Sequence, residues 1–177
     1  MCGNAHRNGK VQKFDQRRYH PRFDLRHADM RDADILLQWR NDPATVSNSI
    51  SQMPVEADQH LAWFERVMAD PESVLMIGET DGTRIGMVRV DLAETEVGTS
   101  GTVSINIAPE ARGQGYGRAL LGRAISQLED KVSVFHASVL NANISSQRLF
   151  ESLQFVCIAQ SDNVLLYELR TDIPEAR

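Results

Sequence analysis

The sequence predicts a single domain of the α/β or α+β class, built around a mixed sheet. Three observations support this. The chain has 177 residues, enough for one hydrophobic core but short for two. Runs with a period of two alternate along the chain with runs at helical spacing. Asp81-Gly82 joins two β-rich runs, which is a strong hairpin signal.

The first half of the chain is predicted to hold one strand and two helices before the hairpin. Residues 22–28 form a short strand, and residues 32–42 form a helix that Pro43 ends. A polar loop follows, and a second helix is predicted over 54–70 with Pro54 at its start. The predicted buried stripes are Ile35, Leu36 and Trp39 in the first helix, and Leu61, Phe64 and Met68, with Trp63 beside them, in the second.

The second half alternates strands with helices. The predicted elements are strands 73–79, 84–92 and 101–108, a helix over 116–130, a strand over 131–140, a helix over 141–153 opened by an asparagine cap, and strands 155–160 and 163–170. The total is about seven strands and about four helices. This order fits one mixed sheet flanked by helices.

Charge and composition exclude several classes. The net charge of −5 argues against general nucleic-acid binding. The absence of a long apolar run or a signal-peptide core argues against a membrane protein and favours a cytoplasmic one. Two cysteines make no disulfide framework, and no metal site is predicted. We expect a basic tail over 1–21, one domain over 22–172 and a short tail over 173–177, in a monomer or homodimer.

Three glycines, Gly113, Gly115 and Gly117, stand at the entrance to a predicted helix. Each costs a helix about 1 kcal/mol relative to alanine, so they need a reason. A glycine turn before a helix presents unpaired backbone N–H groups, which bind anions such as phosphate. Arg112 and Arg118 add positive charge. The dinucleotide pattern fails because residue 118 is arginine, and no Gly-Lys-Ser/Thr of a P-loop follows.

The stretch from Arg112 to Gly117 resembles the R/Q-x-x-G-x-G/A motif of the GNAT acyltransferase superfamily. The surrounding INIAPEARGQGYGRALL is similar to that family's acetyl-CoA segment. A second stretch, NANISSQRLFESLQF, resembles the family's Asn-x-x-Ser/Ala-x-x-Leu-Tyr-x-x-x-Gly-Phe segment, and the matching residues are Asn143, Ser146, Leu149 and Phe155. The predicted element order also fits this fold over residues 22–170.

The resemblance implies that acetyl-CoA binds where two parallel strands, 102–108 and 132–139, splay apart. Pro109 suits that place because it has no N–H to continue the ladder. Backbone groups of Ile107 and Ala108 would bond the pantetheine arm, and Asn143 and Ser146 would reach the cofactor from the next helix. The residues expected around the pyrophosphate are Arg112, Gly113, Gln114, Gly115, Tyr116, Gly117, Arg118 and Ala119.

The resemblance also implies direct acetyl transfer from the thioester to an amine, with backbone N–H groups near Ile107 stabilising the developing charge. This chain has Phe150 where many relatives have the proton-donating tyrosine, and about Thr102 where many have a glutamate base. Gln154 also replaces a usual glycine. The expected base is therefore His60 or Asp91, or a water that they hold. The expected proton donors are Tyr116 and Ser146.

The missing carboxylate favours a weakly basic acceptor. An amine of pKa 10.4 is roughly 0.04% neutral at pH 7, whereas one near 8 is roughly 10% neutral. The segments LLQWRNDPATVSNS, HLAWF and GMVRVD resemble the branch that acetylates amino sugars on nucleotides, of the pseudaminic-acid pathway type. The acceptor-binding residues expected from this are Arg40, Asn41, His60, Trp63, Arg89 and Asp91.

Several alternatives stay open. The WRND region also occurs in ribosomal-protein N-terminal acetyltransferases, and the missing tyrosine and glutamate allow a domain that binds acetyl-CoA without catalysis. For the single residues, a structural role is the alternative to contact with the acceptor. Trp39 fits the core better than a contact with the acceptor, and His60 fits the surface of its helix. Arg89 and Asp91 can form a structural pair. The predicted partner is a small-molecule amine.

Overall fold

The computed structural model describes residues 22–96 and 98–171, and the two predicted tails lie outside them. The strands are β1 Asp24–His27, β2 Ser73–Thr80, β3 Thr83–Thr95, β4 Gly98–Ile107, β5 Val134–Leu140, β6 Val156–Gln160 and β7 Val164–Arg170. The helices are α1 Ala33–Asn41, α2 Pro43–Asn48, α3 Ala57–Ala69, α4 Tyr116–Leu128 and α5 Ile144–Ser152, with 3-10 turns at Met30–Asp32 and Pro109–Ala111.

All seven strands form one mixed sheet in the order β1-β2-β3-β4-β5-β7-β6. Every neighbouring pair is antiparallel except β4 and β5, which run parallel. The β2–β3 hairpin turns on Asp81 and Gly82, whose φ angles of 49° and 74° are those of a type I′ turn. The predicted fold class is confirmed. No helix of the described residues is long and apolar enough to cross a membrane.

A hydrophobic core lies on each face of the sheet. On one face α1 and α3 pack against β2 and β3, where Trp39 and Phe64 are 3% and 0% exposed. On the other face α4 and α5 cover the central strands, with Leu120 and Phe135 fully buried. Trp39 is therefore a core residue, as the sequence favoured.

The prediction of a polar loop directly after α1 was wrong, because the structure has the helix α2 there. Pro43 occupies the first helical position, where a missing N–H costs nothing. The Asp42 carboxylate caps the helix by accepting from the Thr45 N–H at 3.0 Å. Pro43 thus ends α1 and begins α2.

The prediction for α3 was wrong at its start and in the phase of its stripe. The helix begins at Ala57, after Glu56 at the cap position, and not near Pro54. Leu61 and Met68 are 44% and 39% exposed. The buried positions are instead His60, Phe64 and Val67, which also recur at helical spacing.

Candidate active site

The two parallel strands separate and leave a cleft between them. β4 and β5 pair only at Ser100–Val134, Gly101–Phe135 and Thr102–His136. Beyond Thr102 the strands diverge, as the sequence predicted, and the cleft there has a volume of about 880 Å³. It extends from the entrance of α4 to the wall formed by α1, α2 and α3.

One backbone edge of this cleft is set by the pairing of β4 with β3. The Ala108 N–H donates to the Ile85 carbonyl at 3.0 Å, and the Ala108 carbonyl accepts from Ala111 N–H at 2.9 Å. Hydrogen-bonding direction alternates along a strand, so the Ile107 N–H faces the opposite edge, toward the cleft. Of the two expected backbone groups, Ile107 is directed to the cleft, and Ala108 is engaged within the fold.

The glycine turn has the backbone conformation that its sequence suggested. Gly113 and Gly115 have φ angles of 75° and 83°, in the left-handed region that favours glycine. Gly117 lies in the first turn of α4. The first amide groups of a helix have no intrahelical acceptor, and the Ala119 N–H bonds to the Gly115 carbonyl at 3.3 Å. The N-terminus of α4 therefore presents N–H donors beside the cleft.

Arg112 precedes this turn, but its guanidinium points to α2. Its Nη1 lies 2.8 Å from Asp42 Oδ2, its Nη2 donates to Thr45 Oγ1 at 2.9 Å, and its Nε donates to the Ile107 carbonyl at 3.2 Å. Burial raises the pKa of Asp42, but the hydrogen bonds from Arg112 and the Thr45 N–H outweigh it and hold that pKa below its usual range. The side chain expected at the pyrophosphate thus links β4 to α2.

The other residues expected near the cofactor divide into two groups. Asn143 and Ser146 line the cleft, and Asn143 Oδ1 caps α5 by accepting from the Ser146 N–H at 3.1 Å. Tyr116 packs against the core under α1 and α3, and Gln114 is exposed, donating to the Glu110 carbonyl at 2.7 Å. Ala119 is buried at 4% exposure, and Arg118 is exposed.

At the opposite end of the cleft, four of the expected acceptor residues lie in its wall: Arg40, His60, Trp63 and Arg89. Three of them contact one another. The His60 and Trp63 ring centroids are 5.2 Å apart, and Arg89 Cζ lies 5.3 Å from the Trp63 ring centroid, within cation–π range.

Two guanidinium N–H groups of this wall are buried without a hydrogen-bond partner among the described residues: Arg40 Nη1 and Arg89 Nε. One other nitrogen of each side chain is engaged. Arg40 Nη2 donates to Ser51 Oγ at 2.9 Å and to the Met53 carbonyl at 3.1 Å, while Arg89 Nη2 lies 3.0 Å from Asp91 Oδ2. Because an unpaired buried donor is costly, both N–H groups call for an acceptor beyond the described residues, and a bound ligand or water can supply it.

His60 is buried at 4% exposure, which corrects the prediction of a surface position. Its Nε2 lies 2.9 Å from the Ala33 carbonyl, which can only accept, so Nε2 carries the hydrogen. Burial lowers the His60 pKa and, together with the nearby Arg40 charge, outweighs the hydrogen bond to the Ala33 carbonyl and the Asp34 charge, which raise it. The imidazole is therefore neutral at pH 7.

Asn41 and Asp91 were also expected at the acceptor, but they are not among the cleft-lining side chains. The Asn41 side chain makes two hydrogen bonds to Val55. Its Nδ2 donates to the Val55 carbonyl, and its Oδ1 accepts from the Val55 N–H, both at 2.8 Å. Asp91 accepts from Ser73 Oγ at 2.7 Å in addition to its pairing with Arg89. Asn41 thus holds the loop before α3. Arg89 and Asp91 pair with each other, as the alternative of a structural pair had it.

Sequence reasoning missed polar residues on the strands themselves. Ser104 and Asn106 on β4, and Ser138 on β5, line the cleft. The alternation of β4 marked the first two as a polar face but did not show which elements cover that face. No group of three or more potential metal ligands occurs in residues 22–96 and 98–171.

Comparison with known proteins identifies the class. A family model described as an acetyltransferase (GNAT) domain matches residues 22–156. The chain belongs to this family. The branch of the family that the sequence suggested is not distinguished by this match.

One curated relative is the L-amino acid N-acyltransferase MnaT of Escherichia coli K12, 33% identical over 114 residues. The match covers 62% of this chain and 65% of MnaT, so it spans less than two thirds of that relative.

Solved structures share the fold. Spermidine N-acetyltransferase from Vibrio cholerae, in complex with CoA and spermine, superposes with a TM-score of 0.74 at 20% identity, covering 84% of this chain and 95% of that one. The yncA protein of Salmonella typhimurium, solved with its cofactor acetyl-CoA, has a TM-score of 0.68 at 22% identity, covering 89% and 98%.

Proposed function

We propose that this protein transfers an acetyl group from acetyl-CoA to the primary amine of a small anionic acceptor, and that the acceptor is a nucleotide-linked amino sugar. The observation that carries the acceptor class is the pair of unpartnered guanidinium N–H groups, Arg40 Nη1 and Arg89 Nε, in the cleft wall. Membership of the acetyltransferase family supports the reaction.

The cofactor assignment is supported at the α4 end of the cleft. The left-handed glycines at 113 and 115 and the N-terminal amides of α4 offer backbone donors for a pyrophosphate. The Ile107 N–H, on the open edge of β4, is placed to bond the pantetheine arm. Asn143 and Ser146 stand on the facing wall.

The acceptor assignment is supported at the opposite end. Phosphate oxygens would satisfy both arginines with charge-assisted hydrogen bonds, which are about twice as strong as neutral ones. Trp63, half-buried in the same wall, presents an aromatic surface for a sugar or a uracil ring. A polycation such as spermidine would instead bring more positive charge beside Arg40 and Arg89.

The proposed chemistry is attack of the neutral amine on the thioester carbonyl carbon, with loss of the CoA thiolate. A nearby backbone N–H stabilises the oxyanion, and a base removes the ammonium proton before attack. An amino sugar suits this site because its amine is less basic than a lysine side chain and a larger fraction of it is neutral at pH 7.

A second acceptor class is an L-amino acid. The similarity to a protein named as an L-amino acid N-acyltransferase favours it, and a carboxylate also satisfies paired arginines. Both classes share an anionic group and differ in size and in the aromatic ring.

The test is acetyl-CoA-dependent thiol release with a matched panel: a UDP-linked 4-amino sugar, the same sugar without the nucleotide, L-amino acids, spermidine and peptides with free N-termini. We expect the highest kcat/KM for the UDP-linked sugar and a loss of about 10- to 100-fold without the nucleotide, as for removal of one or two charged hydrogen bonds.

Each other outcome overturns a defined part of the proposal. Preference for amino acids selects the second class, and preference for peptides selects a protein N-terminal acetyltransferase. No release with any amine, together with a rise in Tm on adding acetyl-CoA, indicates a binding domain without catalysis. No rise in Tm overturns the cofactor assignment.

A further inference from the structure

A row of polar side chains crosses one face of the sheet where β4 and β5 begin to separate. In register across neighbouring strands, Ser73 pairs with Asp91, Asp91 with Thr102, Thr102 with His136, and His136 with Glu168. Directly paired residues point to the same face of a sheet. His136 therefore lies on the face that carries Asp91, one strand beyond Thr102.

The same face borders the cleft further along the two strands. Ser104 follows Thr102 by two residues, Ser138 follows His136 by two, and both serines line the cleft. The Thr102–His136 pair is also the last one between β4 and β5. His136 itself is not among the cleft-lining residues, but it lies on the same face as Ser138, two residues earlier on β5, next to the point where the strands separate.

Glu168 fixes the orientation of the imidazole. His136 Nε2 lies 3.2 Å from Glu168 Oε2, and Glu168 Oε1 accepts from Arg170 Nε at 2.7 Å. An ionised carboxylate only accepts, so Nε2 carries the hydrogen and Nδ1 of the neutral ring keeps a lone pair. The His136 side chain is 30% exposed, so it is accessible to solvent.

We infer that His136, held by Glu168, is the general base of the acetyl transfer, an inference that rests on the proposed function. The acceptor arrives as an ammonium ion, and His136 Nδ1 takes one of its protons. The neutral nitrogen attacks the thioester carbonyl carbon, so that a C–N bond forms and the C–S bond breaks. The second amine proton leaves with the thiolate as CoA-SH, and the imidazolium returns its proton to solvent.

The two bases expected from the sequence are both engaged within the fold. His60 is 4% exposed, its Nε2 is bonded to a backbone carbonyl, and burial lowers its pKa. Asp91 is paired with Arg89 and bonded by Ser73. Thr102, beside His136, has no group that takes a proton at neutral pH.

Charged groups around His136 come from both sides of β5. Glu168 and Arg170 lie on β7, and Asp91 and Arg89 lie on β3 beyond Thr102. They carry both signs, and Glu168 is the one bonded to the imidazole.

The kinetic test compares His136→Ala and Glu168→Gln with His27→Ala, an exposed histidine on β1, using whichever amine the wild type acetylates best. At pH 7 we expect kcat/KM to fall about 100-fold in His136→Ala, the range for loss of a general base, and about 10-fold in Glu168→Gln. His27→Ala should match the wild type, and the Kd for acetyl-CoA should stay unchanged in all three.

The pH dependence separates a base from a structural residue. The loss of kcat/KM in His136→Ala should become smaller as the pH rises and as acceptors of lower amine pKa are used. Under both conditions a larger fraction of the amine is already neutral in solution, so that a base is needed less. A deficit that is the same at every pH, or activity within about threefold of the wild type throughout, would overturn the inference.

A second measurement does not depend on turnover. A thioether analogue of acetyl-CoA, which cannot react, should shift the imidazole NMR signals of His136, assigned by their loss in His136→Ala, and leave those of His27 in place. Unshifted His136 signals with the analogue bound would overturn the inference alone. No binding of the analogue, judged by Tm, would overturn the proposed function with it.

Discussion

Arginine side chains meet opposite conditions in two regions of this molecule. In the first, which we call the Asp32 cluster, Arg26, Arg84, Asp32 and Glu79 satisfy one another. Arg26 contacts Asp32 at 2.7 and 2.8 Å and Glu79 at 2.7 Å, and Arg84 Nε lies 2.6 Å from Asp32 Oδ1. Asp32 is fully buried, and the cluster joins the turn before α1 to β1 and the β2–β3 hairpin.

In the second region, the cleft wall, Arg40 and Arg89 each keep one buried N–H without a partner among the described residues. A paired buried charge holds elements of the fold together, whereas a buried N–H without an acceptor costs stability until water or a ligand satisfies it. The contrast suggests that the Asp32 cluster serves folding and that the cleft wall serves binding.

The largest expected effect is in the Asp32 cluster. Asp32→Asn removes the charge that two arginines share and should lower the free energy of unfolding by about 3–5 kcal/mol, measured by urea denaturation at pH 7. The control Asp34→Asn, an exposed residue in the first turn of α1, should cost less than about 1 kcal/mol. Equal losses in the two variants would contradict the structural role of the cluster.

The pH dependence of that loss has a defined sign. Burial raises the pKa of Asp32, but hydrogen bonds from Arg26, the Asp29 N–H and Arg84 outweigh it and leave the pKa lowered. Stability from such a group is present above the unfolded pKa of about 3.9 and is lost as the pH falls through the folded pKa. The difference between wild type and Asp32→Asn should therefore narrow below about pH 4.

The next largest effect is expected in the cleft wall, where a substitution should reduce activity but not stability. Arg89→Met should lower kcat/KM for an anionic acceptor about 10- to 100-fold, since a hydrogen bond to a charged group contributes about 1.5–3 kcal/mol. Its unfolding free energy should change by less than about 1 kcal/mol, because the partner Asp91 is 38% exposed and keeps Ser73. Arg26→Met, in the Asp32 cluster, should lower the unfolding free energy and leave kcat/KM nearly unchanged. Similar stability losses in both variants would end the distinction.

Arg112 combines features of the two regions. It lies in the cleft, like Arg40 and Arg89, but it is paired with Asp42 and Thr45, as the arginines of the Asp32 cluster are paired. If it links β4 to α2, Arg112→Gln and Asp42→Asn should weaken acetyl-CoA binding by similar factors, and the double variant should be no weaker than either. The coupling energy should be about 1 kcal/mol, measured as Kd by calorimetry. A much larger loss in Arg112→Gln alone, additive with Asp42→Asn, would show that the guanidinium contacts phosphate directly.

Much of the fold could be predicted because it depends on local pattern. Strand alternation, the Asp81-Gly82 turn and the glycine turn before α4 are determined by neighbouring residues, and the order of elements follows from them. The separation of β4 and β5 could be expected from Pro109 and from the family resemblance. These features needed no knowledge of distant contacts.

The site residues depend on contacts between distant segments, which spacing does not reveal. On α3, both Leu61–Phe64–Met68 and His60–Phe64–Val67 recur at helical spacing, and hydrophobicity favoured the wrong phase. His60 is buried with its hydrogen bond satisfied by the Ala33 carbonyl, 27 residues earlier. His136 and Glu168 meet across paired strands, 32 residues apart.

The smallest expected effect concerns His60, which is buried in the cleft wall. Burial lowers its pKa, so below about pH 6.5 the unfolded state binds more protons than the native state. Its contribution to stability is thus complete above pH 6.5 and declines as the pH falls, by at most about 1.4 kcal/mol per pH unit. Urea denaturation from pH 7 to pH 5 should show a shallower decline for His60→Gln than for wild type, with His27→Ala unchanged. Arg40→Met should also flatten the decline, since the Arg40 charge disfavours the imidazolium, and an unaltered slope in both variants would mean that His60 is protonated without cost.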